Sequence, residues 1–206
     1  LGLPVIEGSD GIIKDVDEAF DVAKKIGFPV LIKAVAGGGG KGMKVAMTEG
    51  EFKDAFKMAG SEAKAAFGNG DVYIEKYLAN PRHIEVQVIG DTHGNAIHLG
   101  ERDCSIQRSH QKVLEEAPSP ALDEERRKYI GELSAEVIRK MGYRGVGTIE
   151  YLYEDGKFYF LEMNTRLQVE HPITEIITGV DLVREQLQVA AGDPLTFTQD
   201  EIKFKG

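Results

Sequence analysis

The sequence holds no apolar run approaching the ~20 residues of a membrane span and no signal-peptide pattern, so neither a helical membrane anchor nor a secretory leader is expected. Its single cysteine, Cys104, excludes an internal disulfide and points to a reducing, cytosol-like compartment. Positive charge is in deficit: 25 Lys and Arg against 34 Asp and Glu leave a net charge of −9. That balance argues against a general binder of nucleic acid or of anionic membranes. A small anion would have to be held at a locally built positive site. There is no internal repeat. The chain begins with Leu1 instead of Met and closes on DEIKFKG, so it reads as a processed or excised piece whose last element is cut short. What is present is ordinary for a globular protein: 206 residues, 42% hydrophobic and 29% charged, enough for one large domain or two small ones.

Residues 15–26 (DVDEAFDVAKKI) predict a helix, capped by Asp15 with Glu18 at the third position and stopped by Gly27. FPVLIKAV (28–35) and MKVAM (43–47) predict strands on either side of a glycine run, and Thr48 with Glu51 predicts a capping box opening a helix to about Ala66. VYIEKYL (72–78) predicts a third strand. RHIEVQVIGD (82–91) and NAIHLGERD (95–103) flank Thr92-His93-Gly94 as a hairpin. Residues 101–120 read as a structured loop, dense in charge and poor in apolar periodicity, and Asp123 opens a helix to about Met141. GVGTIEYLY and KFYFLEMN form a second hairpin, and Thr174 to about Ala191 is helical, broken near Gly179. Hairpins mixed with helices make the class α+β. A division near residue 79 separates a small lobe, 1–78, from a larger lobe, 79–206.

The run Gly37-Gly38-Gly39-Gly40-Lys41-Gly42 cannot hold regular structure, and its backbone N–H groups can approach phosphate oxygens because no Cβ blocks them. Lys33 and Lys41 supply counter-charge. It is not a P-loop, since Lys41 is followed by Gly42 and then by a strand. A glycine loop between two strands reads as a mobile flap over phosphates, or more simply as a flexible hairpin tip.

In the second hairpin the turn decides whether Glu150 and Glu162 meet. A two-residue loop at Asp155-Gly156 pairs Glu150 with Leu161 and sends Glu162 to the opposite face. A three-residue loop, Glu154-Asp155-Gly156, puts Glu150, Leu152, Phe158, Phe160 and Glu162 on one face, and this is the expected form. Two carboxylates on one face repel unless a cation sits between them. Mg²⁺ suits hard oxygen ligands and bridges to phosphates, and Asn164 adds an amide on the same side. If the run EMNTRLQVE is extended, Glu162, Asn164, Arg166, Gln168 and Glu170 share one face, a platform for a metal and a small anion together. The plainer reading is an amphipathic strand with a solvated polar face. His110 and Lys112 are two apart and can face one site, while His83, Glu85 and Gln87 alternate in the pattern of a wet strand face.

Together KAVAGGGGKGM (33–43), EKYLANPRHIEVQ (75–87), ERDCSIQRSHQKVLEEAPSP (101–120), GVGTIEYLY (145–153) and FLEMNTRLQVEHPITE (160–175) resemble the ATP-grasp portion of biotin carboxylase. The glycine flap and acidic hairpin are shared by many ATP-grasp ligases; RDCSIQRSHQK followed by EMNTRLQVEHP is the specific part. The resemblance implies an ATP-grasp fold with a glycine-rich lid in the small lobe, and an ATP-dependent ligase that converts bicarbonate to carboxyphosphate and carboxylates biotin.

By position it assigns Lys33 to ATP phosphate, Lys76, Glu75 and Leu78 to the adenine, and Gly38, Gly39, Gly40, Gly42 and Met43 to the lid. His83, Gln107 and His110 complete the nucleotide pocket, and Lys112 meets the transferring phosphate and bicarbonate. Glu150 and Glu162, with Asn164, hold two Mg²⁺ or Mn²⁺. Arg166, Gln168 and Val169 hold bicarbonate, and Glu170 is the general base. Burial would raise the pKa of Glu170 and Arg166 would lower it.

The implied partners are a biotin carboxyl carrier protein or domain and a carboxyltransferase component, in a homodimeric, cytoplasmic protein (or one of the mitochondrial matrix). No nucleic acid or membrane is implied. The family's N-terminal Rossmann-like domain and its further C-terminal chain have no counterpart here, so the piece is expected to turn over poorly alone. Two other readings stay open: another ATP-grasp ligase of the carbamoyl-phosphate synthetase type, or a nucleotide-binding fragment without turnover.

Overall fold

The structure is a computed structural model that describes residues 1–36, 42–109 and 111–205. The expected lid residues Gly38, Gly39 and Gly40, and His110, lie outside them. The chain divides into two compact units, one of Ile6–Asn80 and one that joins Leu1–Val5 to the chain from Pro81 onward.

The smaller unit comprises α1 (Val16–Ile26), β1 (Val30–Ala34), β2 (Met43–Ala46), α2 (Glu49–Phe67) and β3 (Val72–Lys76). The Asp15 carboxylate accepts the N–H groups of Asp17 and Glu18 at 3.0 and 2.9 Å, and Gly27, at φ 86°, ends α1. The strands form an antiparallel sheet in the order β2-β1-β3. Val30, Ile32 and Ala34 alternate inward on β1, and Val30 and Ile32 pack with Ala19, Ala23, Phe52, Phe56 and Ala59 of the two helices. The expected Thr48–Glu51 capping box is not made. The Thr48 hydroxyl forms no capping bond, and the Glu51 carboxylate accepts the N–H of Met47 at 2.9 Å, one residue too early.

The larger unit comprises β4 (Arg82–Gly90), β5 (Ala96–Arg108), β6 (Gln111–Glu116), α3 (Glu124–Met141), β7 (Gly145–Glu154), β8 (Lys157–Asn164), α4 (His171–Thr178) and α5 (Leu182–Ala191). Its five strands form one antiparallel sheet in the order β6-β5-β4-β7-β8. The segment 101–120, expected as a loop, is mostly strand: β5 runs on to Arg108 and β6 pairs back along it. Strong cross-strand pairing holds it extended despite its weak apolar period. Ile84, Val86, Ile149 and Tyr151 pack against Ile130, Val137 and Ile138 of α3. A further core joins Ile89, Leu99 and Val146 to Leu182 and Val189 of α5.

One buried acid ties this unit together. Asp91 closes the β4–β5 turn by accepting the N–H groups of His93, Asn95 and Leu195 at 2.8, 2.9 and 3.0 Å, and the Asn95 amide at 2.7 Å. Burial opposes its charge, but these donors outweigh it and hold the carboxyl below its usual range. Its contribution is therefore complete above the ordinary carboxylate pKa of about 4 and is lost as pH falls toward the depressed value. Asp91→Asn is expected to cost about 1–2 kcal/mol at pH 7 and to flatten the acid limb, as read by urea unfolding between pH 3 and 7. An unchanged acid limb would remove this role.

Candidate active site

The β7–β8 connection is a two-residue turn. Asp155 and Gly156 both sit in the left-handed region, at φ 50° and 79°, the type I′ form that Asp-Gly favours. It pairs Glu154 with Lys157, Tyr153 with Phe158, Leu152 with Tyr159 and Tyr151 with Phe160. The expected three-residue loop is overturned, and so is the placing of Phe158 and Phe160 beside Glu150. Their rings lie with Tyr151 and Tyr153 on the other face, the Tyr153–Phe158 centroids 4.7 Å apart. Yet Glu162 still stands opposite Glu150, because the register shifts between Glu150 and Tyr151 and leaves Leu161 unpaired. A single bulged residue reverses the alternation.

The strand does not continue through EMNTRLQVE. It ends at Asn164, and Gln168–His171 forms a turn leading into α4. The single alternating face is therefore corrected. Glu162 and Asn164 sit on β8. Gln168 is buried, Val169 is 92% exposed, and Glu170 occupies the N-cap of α4. Arg166 is exposed and donates to the Leu167 carbonyl at 3.3 Å, with no ion pair among the described residues.

The turn nevertheless brings Gln168 and Glu170 to Lys112 and Glu150. The Lys112 ammonium binds Glu150 at 2.9 Å, Glu170 at 2.6 Å, and Glu85. Glu150 Oε1 also accepts the side-chain amides of Asn164 and Gln168, each at 3.0 Å. Glu150 Oε2 lies 2.8 Å from His83 Nε2. Glu85 is shared with the wholly buried Arg102, whose Nε is 2.6 Å away. The remaining Arg102 N–H groups reach Gln87 at 2.7 Å, Thr174 at 2.8 Å, and Thr148 and Gln168 at 3.3 Å. A buried guanidinium is tolerable only when its donors are met in this way.

These contacts set the charges. Burial pulls the Lys112 pKa down, but Glu85, Glu170 and Glu150 outweigh it and raise it well above its usual value. Burial pushes Glu150 up; His83 and Lys112 prevail and hold it at about 2. Glu170 is likewise lowered against burial, chiefly by Lys112 and a backbone N–H, with Arg102 helping. The cation that decides the state of Glu170 is thus Lys112 and not the expected Arg166. Burial pushes the Cys104 thiol far up, so it is inert as a thiolate.

Glu85, Gln87, Arg102, Thr148 and Thr174 were not among the expected site residues, and the wet face expected for Glu85 and Gln87 is fully buried. The available signal was topological. A strand with a hairpin partner on one side and the Glu150 strand on the other is central, and polar residues on a central face need partners.

In the smaller unit Lys33 Nζ lies 3.0 Å from Glu75 and 5.3 Å from the Tyr73 ring centre. Burial lowers its pKa, but Glu75 outweighs burial and keeps it raised. Lys76 donates to the carbonyls of Gly27 and Phe28 at 2.9 and 3.1 Å, at the C-terminal end of α1. Met43 stands opposite Lys33 across the sheet, and Leu78 is half-buried just after β3. Gly42 has φ 75°, and a Cβ there would meet that of Ala34 at 2.8 Å, so only glycine fits. In the larger unit Gln107 donates to the Cys104 carbonyl at 2.8 Å.

The residues fit a divalent cation. Glu85, Glu150, Glu162 and Glu170 set four carboxylates against the two cations Lys112 and Arg102. Glu162 is exposed and meets only the Asn164 amide, at 3.3 Å, among the described residues. Side-chain atoms of His83, Glu85 and Glu150 also lie close enough together to share an ion.

Antiparallel sheets covered by helices, with acids paired across a hairpin and a half-buried lysine held among carboxylates, are the marks of an ATP-grasp domain. Residues 1–198 match the family described as carbamoyl-phosphate synthase L chain, ATP binding domain, and the chain belongs to that family. The relatives it resembles include biotin carboxylases, of whose length it spans about half. The biotin carboxylase of Haemophilus influenzae is 58% identical over the whole chain, which spans 46% of that protein. Biotin carboxylase 1 of Bacillus subtilis is 54% identical with the same 46% share. A biotin carboxylase complex with β,γ-ATP from Campylobacter jejuni superposes with a TM-score of 0.88 at 51% identity, over 100% of this chain and 46% of that one. The biotin carboxylase domain dimer of the Hydrogenobacter thermophilus 2-oxoglutarate carboxylase, in complex with MgADP, ADP and bicarbonate, gives 0.87 at 53% identity, over 100% and 46%.

Proposed function

We propose that this domain binds ATP and bicarbonate and forms carboxyphosphate and ADP, the step that precedes carboxylation of biotin. The observation that carries the reading is the Lys112 ammonium held by Glu85, Glu150 and Glu170, a fixed charge beside a candidate base and a candidate metal ligand. Relatives that bind nucleotide, and one that binds bicarbonate, support it.

In this reading Lys33 contacts ATP phosphate, Glu75, Lys76 and Leu78 meet the adenine, and the loop with Gly38, Gly39, Gly40, Gly42 and Met43 covers the phosphates. His83, Gln107 and His110 complete the nucleotide pocket. Glu150, Glu162 and Asn164 would hold Mg²⁺ or Mn²⁺, which supplies positive charge against the phosphoryl oxygens when bound. Asn164 now turns its NH₂ toward both acids, and an amide flip would present oxygen.

Arg166, Gln168 and Val169 hold bicarbonate, whose hydroxyl proton passes to Glu170 as its oxygen bonds the γ-phosphorus and the bond to ADP breaks. Glu170 is a weak base while Lys112 is on it. As Lys112 turns to the transferring phosphoryl group, Glu170 loses its counter-charge and becomes more basic. Carboxyphosphate then breaks down to CO₂ and inorganic phosphate, and biotin on a carrier protein or domain takes the CO₂ at a ring nitrogen, whose proton passes to the phosphate, for use by a carboxyltransferase component. The dimeric relative supports a homodimer for the whole protein. Among the described residues no helix is long and apolar enough to cross a membrane, and a cytoplasmic location is proposed on that and on the lone cysteine.

ADP release by the native protein should depend on bicarbonate; release indifferent to bicarbonate rejects the proposal. The family's description favours a second reading, carbamoyl phosphate formation, which ammonia-dependent product without response to biotin would select. Arg166→Ala is expected to raise the KM for bicarbonate by the equivalent of about 1.5–3 kcal/mol, the range for hydrogen bonds to a charged group, without changing stability. An unaltered bicarbonate KM would remove Arg166 from the anion site.

A further inference from the structure

We propose that His171 is a positioning residue for the bicarbonate step, an inference that rests on the bicarbonate reading above. Its ring has no hydrogen bond or ion pair to Lys112, Glu85, Glu150 or Glu170 among the described residues, and it acts through the backbone. His171 Nδ1 lies 2.8 Å from the Gln168 carbonyl oxygen, and the His171 backbone N–H reaches the same oxygen at 3.3 Å. A carbonyl only accepts, so Nδ1 carries the hydrogen. Nε2 is 3.9 Å from Glu175 Oε1, beyond hydrogen-bond reach, and that oxygen already accepts the Leu182 N–H at 2.8 Å.

The two donors close the turn Gln168-Val169-Glu170-His171. Its third residue, Glu170, has φ −79° and ψ 1°, the values of a type I turn. The backbone bond is long, and the imidazole bond is the shorter of the two. The turn is what sends Val169 outward while Gln168 and Glu170 point in. Gln168 can then donate to Glu150 at 3.0 Å and accept from Arg102 at 3.3 Å, while Glu170 meets Lys112 at 2.6 Å. With the imidazole bond gone, Gln168 and Glu170 keep their partners but lose the clamp that fixes their backbone. The cost falls on the anion they orient.

The test compares the native protein with His171→Phe, which keeps a ring and loses the donor, and His171→Asn, whose amide can place a donor near the Nδ1 position. The readouts are KM for bicarbonate, KM for ATP, kcat of bicarbonate-dependent ADP release, and the melting temperature. His171→Phe should raise the bicarbonate KM roughly 3- to 10-fold, the span of one neutral hydrogen bond. The ATP KM should stay within about twofold, and His171→Asn should recover most of the loss. Parallel rises in both KM values, no rise in either, an Asn variant no better than Phe, or a Phe variant that cannot fold would each overturn the inference while leaving the proposed function standing. A parent protein whose ADP release ignores bicarbonate would sink the proposed function and this inference together.

Discussion

Lys112→Met, with divalent metal chelated, should give a protein that becomes more stable as pH falls from 8 to 5, a range over which the same acids leave the parent's stability level. In the parent Glu150 is held at about 2 and Glu170 is also lowered. Their contribution is complete above the ordinary glutamate value of about 4.3 and is lost on acidification. Without the ammonium, Glu85, Glu150 and Glu170 crowd together around an apolar side chain, with only Arg102, and His83 when charged, to offset them. Burial and mutual repulsion then lift at least one of them above its unfolded value. A group raised in this way contributes fully below its unfolded pKa and loses that contribution as pH rises through its folded pKa. At pH 8 the variant should be less stable by about 3–5 kcal/mol, the range for a buried ion network deprived of one partner. The gap should narrow toward pH 5. Denaturant unfolding across that range decides it. Parallel pH curves for the two proteins would mean that Lys112 is not the counter-ion of the cluster. With Mg²⁺ restored, bicarbonate-dependent turnover should be present in the parent and lost in the variant at every pH.

Regular elements were legible because local chemistry specifies them. Asp15 and Gly27 bound α1, Asp123 accepts the Arg126 N–H to start α3, and Gly179 divides the last helical stretch. The pairing of Glu150 with Glu162 was legible too, but through a wrong turn. The type I′ form of Asp155-Gly156 sends Glu162 to the far face, and only the unpaired Leu161 returns it. A bulge of this kind is set by what packs on the two faces, here the rings of Phe158 and Phe160 against Tyr151, and no local code announces it. The alternation of EMNTRLQVE misled for a related reason. Period-two patterning fits a strand, but Pro172 at the start of α4 and the Gln168–His171 turn impose a different backbone. Buried polar residues were hardest to find. Glu85 and Gln87 look solvated until β4 is known to lie between β5 and β7, with Arg102 set directly across from Glu85 on β5 and Lys112 brought in by β6. Polar periodicity marks a strand face, and what covers that face is a tertiary property.

The second large effect separates two acids that the sequence treats alike. Glu162→Ala should lower Mg²⁺-dependent ATP turnover roughly a hundredfold or more, in line with loss of a charged contact to transferring phosphate or its metal. It should leave stability within about 0.5 kcal/mol, because an exposed side chain with one long bond to Asn164 supports little of the fold. Glu150→Ala should lose turnover and stability together, since Glu150 receives Lys112, Asn164 and Gln168 and its removal takes a buried acceptor from each of them. Titrating ADP release against Mg²⁺ isolates the metal role. In Glu162→Ala the half-saturating Mg²⁺ concentration should rise, and excess Mg²⁺ should recover part of the rate. If that concentration is unchanged while the rate falls, Glu162 acts on the nucleotide without a metal. If neither changes, the four carboxylates are balanced by the protein's own lysine and arginine, and the cation that their charge excess calls for does not bind there.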